Sequence, residues 1–240
     1  MSESRQDQGL NKRVMILSNI IQLEGVLNIP EHAAALVVIA YDRVGDLEHI
    51  QDDLNDLANA SHRAGLATLT VNLLTPENEA LDRTTGFFRE NVEVLHQRIL
   101  DITNWSITDE ETRTLPIGYL GVGVSAAAAL AAAAVRPDAV FAIVAVAPRI
   151  DLVDTYLPRV LAPTLLIAAE RDAQAREMGL TALSKLTTDT TLDDVRGARE
   201  RGLAHKLEVI PDVANVFEND QSLQRLEQLS MQWFAHYLAP

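Results

Sequence analysis

The sequence predicts an α/β fold of three layers, a mostly parallel eight-stranded sheet with helices on both faces. Three observations predict it. From residue 33 onward, apolar runs alternate with stretches whose apolar residues recur at helical spacing, the order that builds a parallel sheet. Two closely spaced strand-like runs precede them and would form an antiparallel edge. Residues 115–130 (Leu-Pro-Ile-Gly-Tyr-Leu-Gly-Val-Gly-Val-Ser-Ala-Ala-Ala-Ala-Leu) join an apolar run to an alanine-rich helix through a tight glycine-bearing turn. Such a strand–turn–helix unit is where α/β proteins present a nucleophile or a phosphate-binding loop.

The elements follow in order. Residues 13–17 and 22–27 read as the leading strands, with Pro30 as a breaker, and 33–41 is a continuous apolar run suited to burial on both faces. Residues 46–63 carry Leu47, Ile50, Leu54, Leu57 and Ala58 at helical spacing, and Gly65 closes that helix before a strand over 66–74. Thr75-Pro76 reads as a helix N-cap with proline at the first helical position. Phe88, Val92, Leu95, Ile99 and Ile102 predict one helix over 87–105. The glycine-bearing unit then supplies a strand over 115–120 and a helix over 124–135. A strand over 139–146, a short helix over 151–160, a strand over 163–169 and a helix beginning just after Asp172 come next. Residues 187–201 are polar and longer than an ordinary connection, expected as a lid, a docking surface or a solvated loop. A strand over 206–210 and a helix over 221–238, with Leu223, Leu226, Leu229, Trp233 and Phe234 inward, complete the set.

Composition narrows the functional classes. The 240 residues suit a flexible tail over 1–11 and a single domain over 12–240. No apolar run approaches the roughly 20 residues that span a bilayer, and the first residues lack the apolar core of a signal peptide, so a cytoplasmic protein is expected. The chain has no cysteine, which removes disulfides, thiolate metal sites and thiol nucleophiles. A net charge of -14 opposes nucleic-acid backbones and anionic membranes. The six histidines, His32, His49, His62, His96, His205 and His236, are scattered without metal-ligand spacing, so neither metal nor cofactor is expected. His49, His62 and His96 are expected at helix surfaces.

Three stretches carry a family resemblance: Ala64-Gly-Leu-Ala-Thr-Leu69 with Leu73-Leu-Thr-Pro76, Leu115-Pro-Ile-Gly-Tyr-Leu-Gly121, and Ala162-Pro-Thr-Leu-Leu-Ile167 with Arg171-Asp172. Through them the chain resembles the dienelactone-hydrolase-like branch of the α/β-hydrolases over nearly its whole length. The resemblance implies a Gly-x-Ser-x-Gly elbow, a triad acid after a late strand and a histidine in the loop after the last strand. Laid without gaps on that pattern, the elbow reads Gly121-Val122-Gly123-Val124-Ser125, with glycine at the nucleophile position. Asp172 takes the acid position, and Asn215, in Pro211-Asp-Val-Ala-Asn-Val-Phe217, takes that of the histidine. The oxyanion stretch is replaced by Tyr41-Asp42-Arg43-Val44-Gly45. Loss of a single triad member costs on the order of 10⁴ to 10⁶ in turnover, so ordinary serine-esterase chemistry is not expected.

The leading expectation is therefore a non-catalytic protein that uses the old active-site region, Tyr41, Asp42, Gly123, Val124 and Asn215, to bind a small molecule or a protein, with self-association as a further partner class. An alternative is a divergent esterase that uses Ser125 as nucleophile in a shifted register, or a water activated by Asp172. Ser125 could equally line the first helical turn, and Asp172 could equally cap the helix that follows it. A third reading takes Gly121-x-Gly123-x-x-Ala126 as a dinucleotide fingerprint, with Arg149 or Asp151 addressing a ribose. Arg43 is expected to pair with a neighbouring carboxylate.

Overall fold

Eight strands lie in the order β1-β2-β4-β3-β5-β6-β7-β8. They are β1 (Leu10–Ser18), β2 (Ile21–Ile29), β3 (Leu36–Tyr41), β4 (Ala67–Asn72), β5 (Ile117–Val122), β6 (Val140–Val146), β7 (Thr164–Ala169) and β8 (His205–Ile210). The computed structural model describes residues 9–43, 50–186 and 205–238. Strand β2 runs antiparallel to both β1 and β4, and every pairing from β4 through β3 to β8 is parallel. The expected antiparallel edge on a parallel sheet is thus present. It begins at Leu10, which takes the last two residues of the expected tail into β1.

The helices are α1 (Gln51–Arg63), α2 (Pro76–Thr85), α3 (Phe87–Glu90), α4 (Val92–Ser106), α5 (Gly123–Val135), α6 (Ala173–Leu186) and α7 (Asp220–Leu238). The central strands are buried along their whole length, as parallel strands covered on both sides must be. Helices α3, α4, α5 and part of α6 cover one face in a core that includes Leu95, Ile99, Ile102 and Leu130. Helices α1 and α7 cover the other through Leu54, Leu57, Leu226 and Phe234. On that second face nothing described stands over β1 and β2, whose outward residues alternate with buried ones.

Local chemistry sets several boundaries. Thr75 caps α2 as its sequence predicts, its Oγ1 accepting from the Asn78 amide at 3.3 Å with Pro76 at the first position. The helix expected over 87–105 is two. It breaks at Asn91 (φ -124°, ψ 69°), and buried Asp82 of α2 accepts the Phe88 and Arg89 amides at the start of α3. The helix expected over 151–160 is a pair of 3₁₀ turns, Ile150–Leu152 and Leu157–Arg159, because Pro158 interrupts any longer run. Residues 44–49, at the expected start of α1 and including His49, and the 187–201 segment lie outside the described residues.

Candidate functional site

Strand β5 ends in the middle of the sheet, and α5 starts at once. Two glycines allow that turn for different reasons. A Cβ on Gly121 would stand 2.7 Å from the Cα of Ala126 and 2.8 Å from its nitrogen, so the first turn of α5 fills the space a side chain would need. Gly123 stands at the apex with φ +58°, a left-handed conformation that glycine adopts without steric cost. It is partly exposed, whereas Val124 is buried in the core against the sheet. This is the geometry of a nucleophile elbow, with a residue lacking any side chain at its tip.

Ser125 faces inward. It is fully buried, and its hydroxyl donates to Asp42 Oδ2 at 2.7 Å. Asp42 directly follows β3 and is 3% exposed, so the contact ties the end of one central strand to the helix that follows another. Tyr41 points to the opposite face, as strand alternation requires. Its hydroxyl donates to Gln51 of α1, and burial pushes its pKa up while Arg43 and that hydrogen bond oppose the shift. The structure therefore separates two residues that the sequence places together. Asp42 belongs to the elbow side and Tyr41 to the α1 side. Arg43 makes the expected ion pair, its Nε donating to Glu79 Oε1 at 3.0 Å, and Asn72 donates to the same oxygen at 2.7 Å.

Asp172 and Asn215 stand on neighbouring loops. The Arg171 amide donates to the Val213 carbonyl at 2.9 Å and the Glu170 amide to the Ile210 carbonyl at 2.9 Å, so the segments after β7 and β8 run side by side. Asp172 Oδ1 accepts the Ala175 amide at 2.9 Å and caps α6. Asn215 is exposed, and its Oδ1 accepts the Phe217 amide at 2.9 Å within its own loop. Among the described hydrogen bonds neither side chain reaches the other or the elbow.

Arg149 borders the apex. Its amide donates to the Gly123 carbonyl at 3.3 Å, while its guanidinium donates to Asp151 at 2.7 Å and Glu90 at 3.4 Å. The hydrogen bonds from Arg149 hold the Asp151 carboxyl below the usual carboxylate range, and Asp151 raises the Arg149 pKa in turn. Asp151 is thus engaged by its neighbour. Gly121 is required by strand–helix contact, which accounts for the fingerprint-like spacing without a pyrophosphate.

His96 is a correction to the expected surface placement. It is 9% exposed, 3.3 Å from Glu93 and tilted against Tyr156. His205 stands at the start of β8 with Nδ1 buried and unpartnered among the described residues, and burial lowers its pKa to about 4. Among the described residues no group of three or more acidic or histidine side chains could hold a metal ion, and no helix is long and apolar enough to cross a membrane. The Ser125–Asp42 contact had no signal in the sequence, since it joins residues 83 positions apart.

No family model matches the chain. A dienelactone hydrolase from Anabaena variabilis is 33% identical over 96% of this chain and 99% of its own, with a TM-score of 0.83. Est1E from Butyrivibrio proteoclasticus (12% identical, 93% of this chain and 99% of its own, TM-score 0.67) shares the fold. So does an alpha-beta serine hydrolase homologue from Coxiella burnetii (16% identical, 92% and 96%, TM-score 0.67). A protein of two Mycobacterium tuberculosis strains, named "putative phosphoribosyl transferase", is 31% identical over 228 residues, 95% of this chain and 47% of that protein. The chain spans about half the length of these curated relatives. The strand order, the β5–α5 elbow and the full-length identity to the Anabaena protein agree: the chain belongs to the dienelactone-hydrolase-like branch of the α/β-hydrolases.

Proposed function

We propose that this protein is a non-catalytic member of its family, a binding module that engages a small molecule or another protein around the β5–α5 elbow. One observation carries the reading. The partly exposed apex of the elbow is Gly123, and the nearest hydroxyl along the helix, that of Ser125, is buried on Asp42. A glycine offers no nucleophile, and a serine turned into the core cannot reach a substrate carbonyl. Asn215 supports the same reading, because a carboxamide does not take up a proton near neutral pH and this one is occupied within its loop. The longer relatives fit a module that works beside a second domain, since this fold accounts for about half of their length. Gly123, Asp42 and Asn215 are the residues to probe for ligand contacts.

A fluorophosphonate probe tests the proposal. The protein should remain unlabelled and short p-nitrophenyl esters should not turn over above background. Labelling at Ser125 that disappears in Ser125→Ala would overturn it.

A second reading is favoured by the full-length likeness to a dienelactone hydrolase: a remodelled esterase in which Asp172 activates water. It requires hydrolysis with a pH dependence that disappears in Asp172→Asn. The capping bond from Asp172 to Ala175 counts against it, because the carboxylate already serves the start of α6.

A further inference from the structure

A groove of about 1060 Å³ lies on the sheet face that α1 only partly covers, on the opposite side of the sheet from the elbow helix. Its floor is the outward face of β1, β2 and β4. The registers place three cross-strand rows there: Asn11, Asn28 and Thr68; then Arg13, Val26 and Thr70; then Met15 and Glu24, with Asn72 next along β4. Its wall is α1, which presents Gln51, Asn55 and Asn59 at every fourth position. Six of the chain's eleven asparagines line this groove, and of these Asn72 is tied to Glu79 and the Leu74 amide.

The spacing of the carboxamides identifies a ligand geometry. Residues four apart on a helix stand about 6 Å apart along its axis. Alternate residues of an extended chain repeat every ~6.6–6.8 Å. Helix α1 returns to β4 through a short connection and so runs antiparallel to it, which sets Asn59, Asn55 and Gln51 in the order of the three floor rows. The carboxamides of Asn55 and Asn59 each hold a donor and an acceptor side by side, the complement of a peptide N–H and C=O, while Gln51 already accepts from the Tyr41 hydroxyl. Among the described residues no hydrogen bond uses the side chains of Asn11, Asn28, Asn55 or Asn59, and the buried Oδ1 of Asn78 at one end of the groove has no partner.

Charge and surface discriminate among occupants. The chain carries a net charge of -14, yet the groove's cations are matched, Arg13 by Glu24 at 3.0 Å and Arg43 by Glu79 at 3.0 Å. An anionic ligand would therefore meet no unmatched cation, and a cationic one only the Glu77 carboxylate at the groove's edge. Exposed Met15 (53%) and Val26 (41%) give apolar contacts for side chains. A glycan would need an aromatic face to stack on, and Tyr41, at 7% exposure, hides its ring.

We propose that this groove binds an extended, uncharged polypeptide segment, recognised through its backbone by the carboxamide ladder of α1. It is independent of the elbow, so it stands or falls apart from the proposed function.

The test follows side-chain NH₂ resonances by NMR in the intact protein. The probes are short peptides alternating threonine and valine with blocked ends, the same peptides N-methylated on alternate backbone nitrogens, and maltoheptaose. The expected result is a shift of the Asn55 and Asn59 carboxamides with the unmodified peptides and loss of that shift on N-methylation. Affinity should fall about tenfold or more, a 1.4 kcal/mol step, in the double variant Asn55→Ala/Asn59→Ala. Alanine is the better helix former at these exposed positions, so the variant should fold. The proposal fails if no peptide shifts these resonances, if maltoheptaose alone does, or if the double variant binds as well as the parent.

Discussion

Ser125 separates a structural role from a catalytic one. Its hydroxyl is fully buried and donates to the Asp42 carboxylate at 2.7 Å. Replacing it with alanine removes a hydrogen bond to a buried acidic group, and such bonds contribute about 1.5–3 kcal/mol net. In a domain of this size each kilocalorie moves the midpoint by about 2–4 °C, so Ser125→Ala should melt roughly 3–12 °C lower. A double-mutant cycle with Asp42→Ala, which removes the acceptor, probes the pair, and neighbours in one hydrogen-bonded contact should show a coupling of about 0.5–3 kcal/mol. The assay is thermal and urea unfolding of the parent, both single variants and the double variant, alongside ester turnover. An unchanged melting temperature with no coupling to Asp42 would refute the structural assignment. Loss of a measurable hydrolytic activity without loss of stability would assign Ser125 to catalysis instead.

Other outcomes follow from the same geometry. Gly121→Ala pushes a Cβ to 2.7 Å from backbone that cannot yield, whereas Gly123→Ala incurs a left-handed penalty of about 1–2 kcal/mol. Urea unfolding should therefore show Gly121→Ala as the more damaging change, and the reverse order would contradict the packing at the elbow. Gly123→Ser combined with Asn215→His tests whether only those groups are missing. Gain of fluorophosphonate labelling would show that the frame is intact, and silence would mean that the oxyanion donors are altered too. Burial depresses the folded-state pKa of His205 to about 4 against 6.5 unfolded, so its contribution is complete above pH 6.5. It is lost as pH falls towards 4, by about 3 kcal/mol at most. His205→Phe should flatten that part of the pH–stability curve, and an unchanged curve would show that the imidazole is solvated.

Much of the fold was legible because it rests on local signals. Apolar runs such as residues 36–41 and 164–169 are strands that both helix layers cover, and Thr75-Pro76 marks a helix start by its own chemistry. The elbow was legible for the same reason, since Gly121, Gly123 and the alanine run lie in one continuous stretch. The start of α3 was not, because it rests on the buried Asp82 side chain of α2, which takes the Phe88 and Arg89 amides. His96 was misplaced for a related reason, as Tyr156 reaches it from a distant loop.

The sequence by itself determined the strand–helix alternation, the family frame and the residues at the elbow apex and on the two loops beside it. Only the tertiary structure decided what their side chains do. It turned Ser125 onto Asp42, sent Tyr41 to the other face, gave Asp172 to the start of α6 and left the ladder of Gln51, Asn55 and Asn59 beside an uncovered sheet face. The physical reason is that alternation and helical periodicity assign a residue to a face, while what covers that face depends on segments far away in the chain.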